Sequence, residues 1–352
     1  MGRDRLQLPF VAALLAIGAF AWVNADFFGH EVIAEMAILA IFVMSLDLLV
    51  GYVGLVSLGH AAFLAVGAYA TAGLTVFWGW SAWQAVPASM LAAAVFALVI
   101  GAFVVRLGGV FFLMITLAIG QMTYAYFFKA REFGADDGMS GTPRVDLSGF
   151  GLDVDDSRIF AALTLLFALA VYALLRVVVR SPYGAMLGAI NANENRVRAL
   201  GCNVGLHKLS AFVVAGTLAG LAGSLTAQHS GFVSPDLAFW TVSGEALIMV
   251  IVGGAGSLAG AALGAVIVVY LRHELAGFIE HAYDWLNEIL AASVGRSLPE
   301  DGGAQLGEHW VAFLGLFFLV VVLVAGDGLY GRIESLLGKL SRGDSKRAGT
   351  GP

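Results

Sequence analysis

Apolar residues run through this chain in long blocks, separated by short polar or glycine-rich interruptions. The blocks lie at about 32–50, 60–78, 84–105, 110–128, 159–179, 209–227 and 241–272, with one at about 6–23 and a last one at about 309–326. Each is about 18 residues or longer and lacks the strict alternation of a barrel strand, so the pattern predicts membrane-crossing helices and an all-α fold. One interruption differs from the rest: Ser181 to Lys208 is a long, largely polar island between two apolar blocks. Pro182 and Gly184 end the preceding helix, since proline supplies no N–H and glycine tolerates turn geometry. From Ala185 to Leu200 the apolar positions are Met186, Leu187, Ile190, Val197 and Leu200, with Asn193, Glu194, Arg196 and Arg198 mostly elsewhere. That spacing predicts a short, imperfectly amphipathic helix closed by Gly201 as C-cap. On pattern alone it is either a docking knob for a soluble partner or a helix lying on lipid headgroups.

Composition agrees with the blocks: the 352 residues are 59% hydrophobic and 12% charged, with mean hydropathy +0.86. Soluble domains carry about 25% charged residues, so this is a polytopic membrane protein. Its 45 glycines supply surfaces where helix backbones approach closely. A single cysteine, Cys202, excludes an intrachain disulfide.

Charge placement sets the expected topology. Arg3 and Arg5 precede the first block; its Val23-Asn24-Ala25 end mimics a cleavage site, but an uncleaved first span is expected. Lysine and arginine concentrate on the cytoplasmic side. The N-terminus, the polar interruption (Arg180, Arg196, Arg198, Lys208) and the tail at 327–352 (Arg332, Lys339, Arg342, Lys346, Arg347) then all belong inside. This requires 241–272 to break at Gly253-Gly254-Ala255-Gly256 and cross twice, or dip and return. The result is a membrane domain over 1–326 of about ten segments, with 181–208 cytoplasmic and an acidic loop at 273–308 outside. The loop 129–158, also placed outside, breaks the rule with Lys129, Arg131, Arg144 and Arg158.

A shift of 200 positions aligns Ser57-Leu58 with Ser257-Leu258 and Ala61-Ala62 with Ala261-Ala262. Both copies place glycines ahead of a Ser-Leu that opens an apolar helix, and paired glycine-interrupted segments point to a translocation site. The first break carries Gly51, Gly54, Ser57, Gly59 and His60; the second carries Gly253, Gly254, Gly256 and Ser257. Irregular backbone at membrane depth needs protein or a water-filled cavity to satisfy it. Ser57 can hydrogen-bond a substrate carboxylate at the start of the next helix, or simply cap that helix. Asp47 is the acid deepest in a span and must face protein or water. Glu245 opens the second broken segment, and with Glu35 it can also sit near an interface. No P-loop, H-E-x-x-H, G-x-S-x-G or Cys/His cluster occurs, so no catalytic residue, metal or cofactor is expected in this chain.

The run N-E-N-R-V-R-A-L-G-C-N-V-G-L-H-K-L-S-A-F (193–212) resembles the cytoplasmic coupling loop of branched-chain amino acid ABC importer permeases of the LivM type. L-L-V-G-Y-V-G-L-V-S-L-G-H-A-A-F at 48–63, D-G-M-S-G-T-P at 137–143 and E-A-L-I-M-V-I-V-G-G-A-G-S-L-A-G at 245–260 are similar to that family in the same order. The family often carries asparagine where this chain has Asp47. The resemblance implies an ATP-driven importer of the bacterial or archaeal inner membrane. It would pair with a second, homologous permease, two ATPase subunits that bind the ATP, and a periplasmic or lipid-anchored binding protein. Asn193, Glu194, Arg196, Arg198 and Gly201 would then meet the ATPase. A urea or short-amide permease shares these motifs; from another class, an ion-coupled secondary transporter would show paired intramembrane acids and no docking helix.

Overall fold

The computed structural model describes residues 27–146, 156–294, 310–324 and 331. Helices stand at every expected position from residue 32 onward. They are α1 (Phe27–Asp47, continued by a π-helical turn, Leu48–Val53), α2 (Ala61–Trp78), α3 (Ala82–Val104), α4 (Gly109–Lys129) and α5 (Ser157–Arg180). After these come α6 (Pro182–Ala199), α7 (Val204–Ser230), α8 (Trp240–Gly253), α9 (Leu258–Val294) and α10 (Trp310–Val324). Seven of the described helices are long and apolar enough to cross a membrane. The expected first span at 6–23, residues 295–308 and nearly all of the tail at 327–352 lie outside the described residues.

Local chemistry explains where the boundaries differ from expectation. Pro182 starts α6 instead of merely ending α5: it is the first helical residue, where its missing N–H costs nothing, and the Ser181 hydroxyl accepts from Gly184 N–H at 3.4 Å. Asn203 Oδ1 accepts from Leu206 N–H at 3.2 Å, so α7 begins at Val204 and not near 209. The expected loop at 273–308 is helical as far as Val294, because Ala, Leu, Ile and Glu dominate there and no proline precedes Pro299.

The bundle has two distinct ends. At one, the starts of α1, α3 and α5 and the end of α7 gather: Glu31 bonds Arg144 (3.2 Å) and Ser157 and lies beside the His229 ring, and Trp83 Nε1 donates to Asp146 O at 2.8 Å. A two-stranded antiparallel ribbon, β1 (Met139–Ser140) with β2 (Phe232–Val233), closes this end. Residues 139–146, after α4, lie at this end, and one of the basic residues of the 129–158 loop has a physical use there. Arg144 is committed to Glu31 and lies 4.5 Å over the Phe160 ring. At the opposite end lie α6, the π-helical turn and the α8–α9 break.

The centre is held by close backbone approach. A Cβ on Gly67 of α2 would stand 2.2 Å from Gly220 O of α7, and one on Gly223 would stand 1.9 Å from Leu64 O. Such contacts, not a hydrophobic driving force, are what associates helices in lipid. α1 and α7 are the most enclosed helices, and α5 presents most of its surface outward.

Candidate functional site

The two glycine breaks, related by the repeat's shift of 200 positions, meet face to face beneath α6. After the π-helical turn, Gly54 takes a left-handed conformation (φ 80°), and residues 54–60 turn back into the bundle before α2 starts. The second break is tighter. Gly254 (φ 108°) and Gly256 (φ 81°) reverse the chain between α8 and α9. A Cβ on Gly51 would lie 2.1 Å from Gly256 N, so the two backbones touch with no side chain between them. Asp47 Oδ1 accepts from Gly256 N–H at 2.8 Å, and the residue is fully buried. Among the described residues its Oδ2 has no hydrogen-bond partner.

The helix starts next to these breaks are satisfied differently. Ser257 caps α9, accepting from Gly260 N–H at 3.2 Å. Ser57, its counterpart in the repeat, does not cap α2; it is fully buried and its Oγ finds no partner among the described residues. The first N–H of α2, at Ala61, instead donates to Ser243 Oγ of α8 at 2.8 Å. Thus the first turns of α2 and α8 are joined, α2 starting at the buried Ala61 and α8 turning inward at Ser243, which brings the positive ends of two helix dipoles together.

The expected pathway residues therefore separate. Asp47, Gly51 and Gly256 form the contact between the breaks, while Gly54 lies against Asn191 of α6. Gly253 packs on α9, where a Cβ would be 2.0 Å from Gly260 O. Gly59 is a helix contact, since a Cβ there would be 2.1 Å from Thr116 O of α4. His60 tethers helices: its Nε2 is 2.8 Å from Ser45 Oγ and its ring stacks on Phe42 at 5.2 Å. Glu245 is not brought to the second break. It pairs with Arg272 at 3.4 Å, in a cluster where Arg272 and His273 also bind Glu35. It stands roughly 12 Å up α8 from Gly253 at 1.5 Å per residue; an acid in a membrane segment takes the cation within its reach. An aromatic groove of about 910 Å³, lined by Tyr69, Phe77, Phe127 and Phe133, lies toward the ribbon end and includes none of the expected pathway residues.

On α6 the buried face is Leu187, Ile190 and Val197: Leu187 joins the main core, while Ile190 and Val197 with Val204 and Met186 seat the helix against the start of α7. Leu200 was expected on that face but is 77% exposed, because the helix ends at Ala199 and the chain turns away through Gly201 (φ 84°). Asn193 is not a free docking group. It kinks the helix (φ −162°, ψ 94°), and its Oδ1 accepts from Arg196 N–H at 3.0 Å. Glu194 braces the kinked part, bonding Arg198 and the buried Lys208, each at 2.6 Å. Arg196, Arg198 and Gly201 are exposed. Sequence reasoning missed Asn191, whose Nδ2 donates to Gly51 O at 3.0 Å and whose Oδ1 would be 2.4 Å from a Cβ on Gly54. It also missed Ser243. Asn191 is polar one residue after the buried Ile190, but no local spacing marks its partner 140 positions away.

Comparison with known proteins accords with this architecture. Residues 29–325 match the family described as branched-chain amino acid transport system / permease component. The chain is 31% identical over 300 residues to the high-affinity branched-chain amino acid transport system permease protein LivM of Salmonella typhimurium, covering 78% of this chain and 70% of that protein. The identity and coverage are the same for LivM of Escherichia coli. A probable LivM of Methanocaldococcus jannaschii is 27% identical over 120 residues, 32% of this chain and 33% of that protein. No solved structure matches. With the family profile spanning nearly all of the described helices, the chain belongs to the branched-chain amino acid transport system permease family.

Proposed function

We propose that this chain is the membrane-spanning permease subunit of an ATP-driven importer of branched-chain amino acids in a bacterial or archaeal inner membrane. Family membership supports the transport role, and the relatives' names supply the substrate class. In this reading ATP is bound and hydrolysed by two partner subunits, a homologous permease completes the pathway, and a binding protein delivers substrate. The α6 end of the bundle is cytoplasmic and the ribbon end external.

The observation that carries the reading is α6 itself. It is a short helix outside the membrane core, seated by Leu187, Ile190 and Val197, with Asn195, Arg196, Arg198 and Ala199 exposed, at the end where both chain breaks meet. A helix placed so can receive a push from a soluble motor and deliver it to the breaks. Alternating access then follows from two arrangements of the broken segments, biased by ATP through the partner subunits. Substrate passes the breaks near the start of α2, where Ser57 offers a buried hydroxyl beside converging helix N-termini that favour a carboxylate.

The test is Val197→Pro. Proline inside a helix costs about 3 kcal/mol and removes a hydrogen bond, so α6 should unravel while the flanking spans stay folded. Because Asn193 kinks α6, the damage falls on the part after the kink, which carries the exposed Asn195, Arg196 and Arg198. The expected outcome is loss of ATPase co-purification and of leucine, isoleucine or valine uptake. Unchanged uptake with the ATPases still bound would refute the reading.

A further inference from the structure

We infer that Asn191 is the positioning residue through which movement of α6 reaches both chain breaks, with Asp47 as the second link. The inference rests on the reading of α6 as the helix that receives the motor, and it names the transmitting contacts. Three segments distant in sequence touch in series. Asn191 Nδ2 donates to Gly51 O at 3.0 Å, and Asn191 Oδ1 fills the space beside Gly54. Gly51 in turn abuts Gly256, whose N–H donates to Asp47 Oδ1 at 2.8 Å.

Each junction combines a hydrogen bond with a hard contact, and the mechanical meaning lies in that combination. Packed atoms resist compression but separate freely, whereas a hydrogen bond also resists separation. Asn191 therefore presses on Gly54 when α6 moves inward and pulls on the Gly51 carbonyl when it moves outward. Asp47 and Gly51 do the same to the second break. Glycine at 51 and 256 leaves backbone against backbone, so no side chain can change rotamer and absorb the displacement. The π-helical turn Leu48–Val53 is where α1 can yield, since such turns depart from regular helix bonding and mark functional sites. The other α6 contacts divide between the π-helical turn, against which its backbone also packs, and α7, where Ile190 and Val197 pack on Val204 and Glu194 bonds Lys208; Asn191 adds the polar link to the turn.

The experiment uses the whole importer in proteoliposomes, with leucine as substrate, and reads substrate moved per ATP hydrolysed beside the amount of ATPase that co-purifies. Asn191→Asp keeps the shape but replaces the donor with an acceptor facing the Gly51 carbonyl. The ratio should fall about fivefold or more, the factor corresponding to one hydrogen bond of about 1 kcal/mol, with the ATPases still bound. Asp47→Leu, which keeps volume and removes the second bond, should uncouple in the same way, and Asp47→Asn, which keeps an acceptor oxygen, should restore the ratio. A misfolded permease would lower uptake and hydrolysis together and leave their ratio unmoved, so the ratio isolates the transmitting role. Asn191→Asp or Asp47→Leu with a wild-type ratio overturns the proposal and leaves the docking role of α6 standing. Loss of ATPase binding in Asn191→Asp also overturns it, by placing Asn191 in the docking surface. Absence of ATPase from the wild-type preparation would instead remove the reading on which the proposal rests.

Discussion

Replacing Glu194 by alanine removes two ion pairs of unequal weight. The bond to Arg198 is an i,i+4 pair at 2.6 Å whose arginine side chain is 66% exposed, so solvent screens it. Pairs of that kind contribute about 0.3–0.5 kcal/mol. The bond to Lys208 is equally short, but the lysine side chain is only 6% exposed. Removing one partner of a buried pair leaves the other charge uncompensated and costs about 3–5 kcal/mol. Because Glu194 itself is 35% exposed, water can reach the gap, and the lower end of that range applies. The total is about 3 kcal/mol, which at about 2 °C per kcal/mol corresponds to a fall of roughly 6 °C in the thermal midpoint. The assay is the melting of detergent-purified permease at a fixed scan rate. Glu194→Ala with Lys208→Met should recover most of the loss, since no unpaired charge then remains. A single variant within about 2 °C of wild type, or a double variant no better than the single, would refute the argument.

Four further outcomes are expected. Gly59→Ala should fail to accumulate in the membrane, because its Cβ would stand 2.1 Å from Thr116 O; normal amounts by immunoblot would contradict that packing. Ser257→Ala should lower the thermal midpoint through loss of a helix cap of about 1 kcal/mol. Ser57→Ala should leave the midpoint unchanged while altering the leucine concentration for half-maximal uptake, and unaltered uptake would remove Ser57 from the pathway. In a Cys202→Ser background, Asn195→Cys should resist an impermeant thiol reagent on intact cells and Ser140→Cys should react; the reverse pattern would invert the proposed topology.

The helices and the second break were legible because each follows from a local signal. Apolar blocks of spanning length give the helices, and Gly253-Gly254-Ala255-Gly256 interrupts one of them. The meeting of the breaks was not legible. Asp47 was identifiable as an acid that cannot face lipid, but its partner Gly256 is 209 positions away and is chosen by packing. The same limit applies to Glu245, whose pairing with Arg272 depends on how α8 and α9 fold back on each other. On α6 the pattern identified the buried Ile190 and Val197. It misplaced Leu200 because periodicity carries no information about where the chain leaves the helix. Glu194 read as an exposed charge, and only the buried position of Lys208 reveals its weight.

The long-range pairs on α1 also bear on how the protein is made. Glu35 and Asp47 enter the membrane with α1, yet their partners Arg272 and Gly256 follow 237 and 209 residues later. At about 5–20 residues per second, the ribosome needs roughly 10–50 s to supply them. During that interval two carboxyl groups sit in a span without the groups that satisfy them; Asp47, deeper in the span, would cost about 2.5–3.5 kcal/mol if turned to lipid, and Glu35, nearer its end, less. The nascent chain must therefore hold α1 in a wet, protein-lined shelter until α9 arrives. Chains truncated before Leu258 should stay bound to the insertion machinery or be degraded, whereas chains ending after Arg272 should be released into the bilayer.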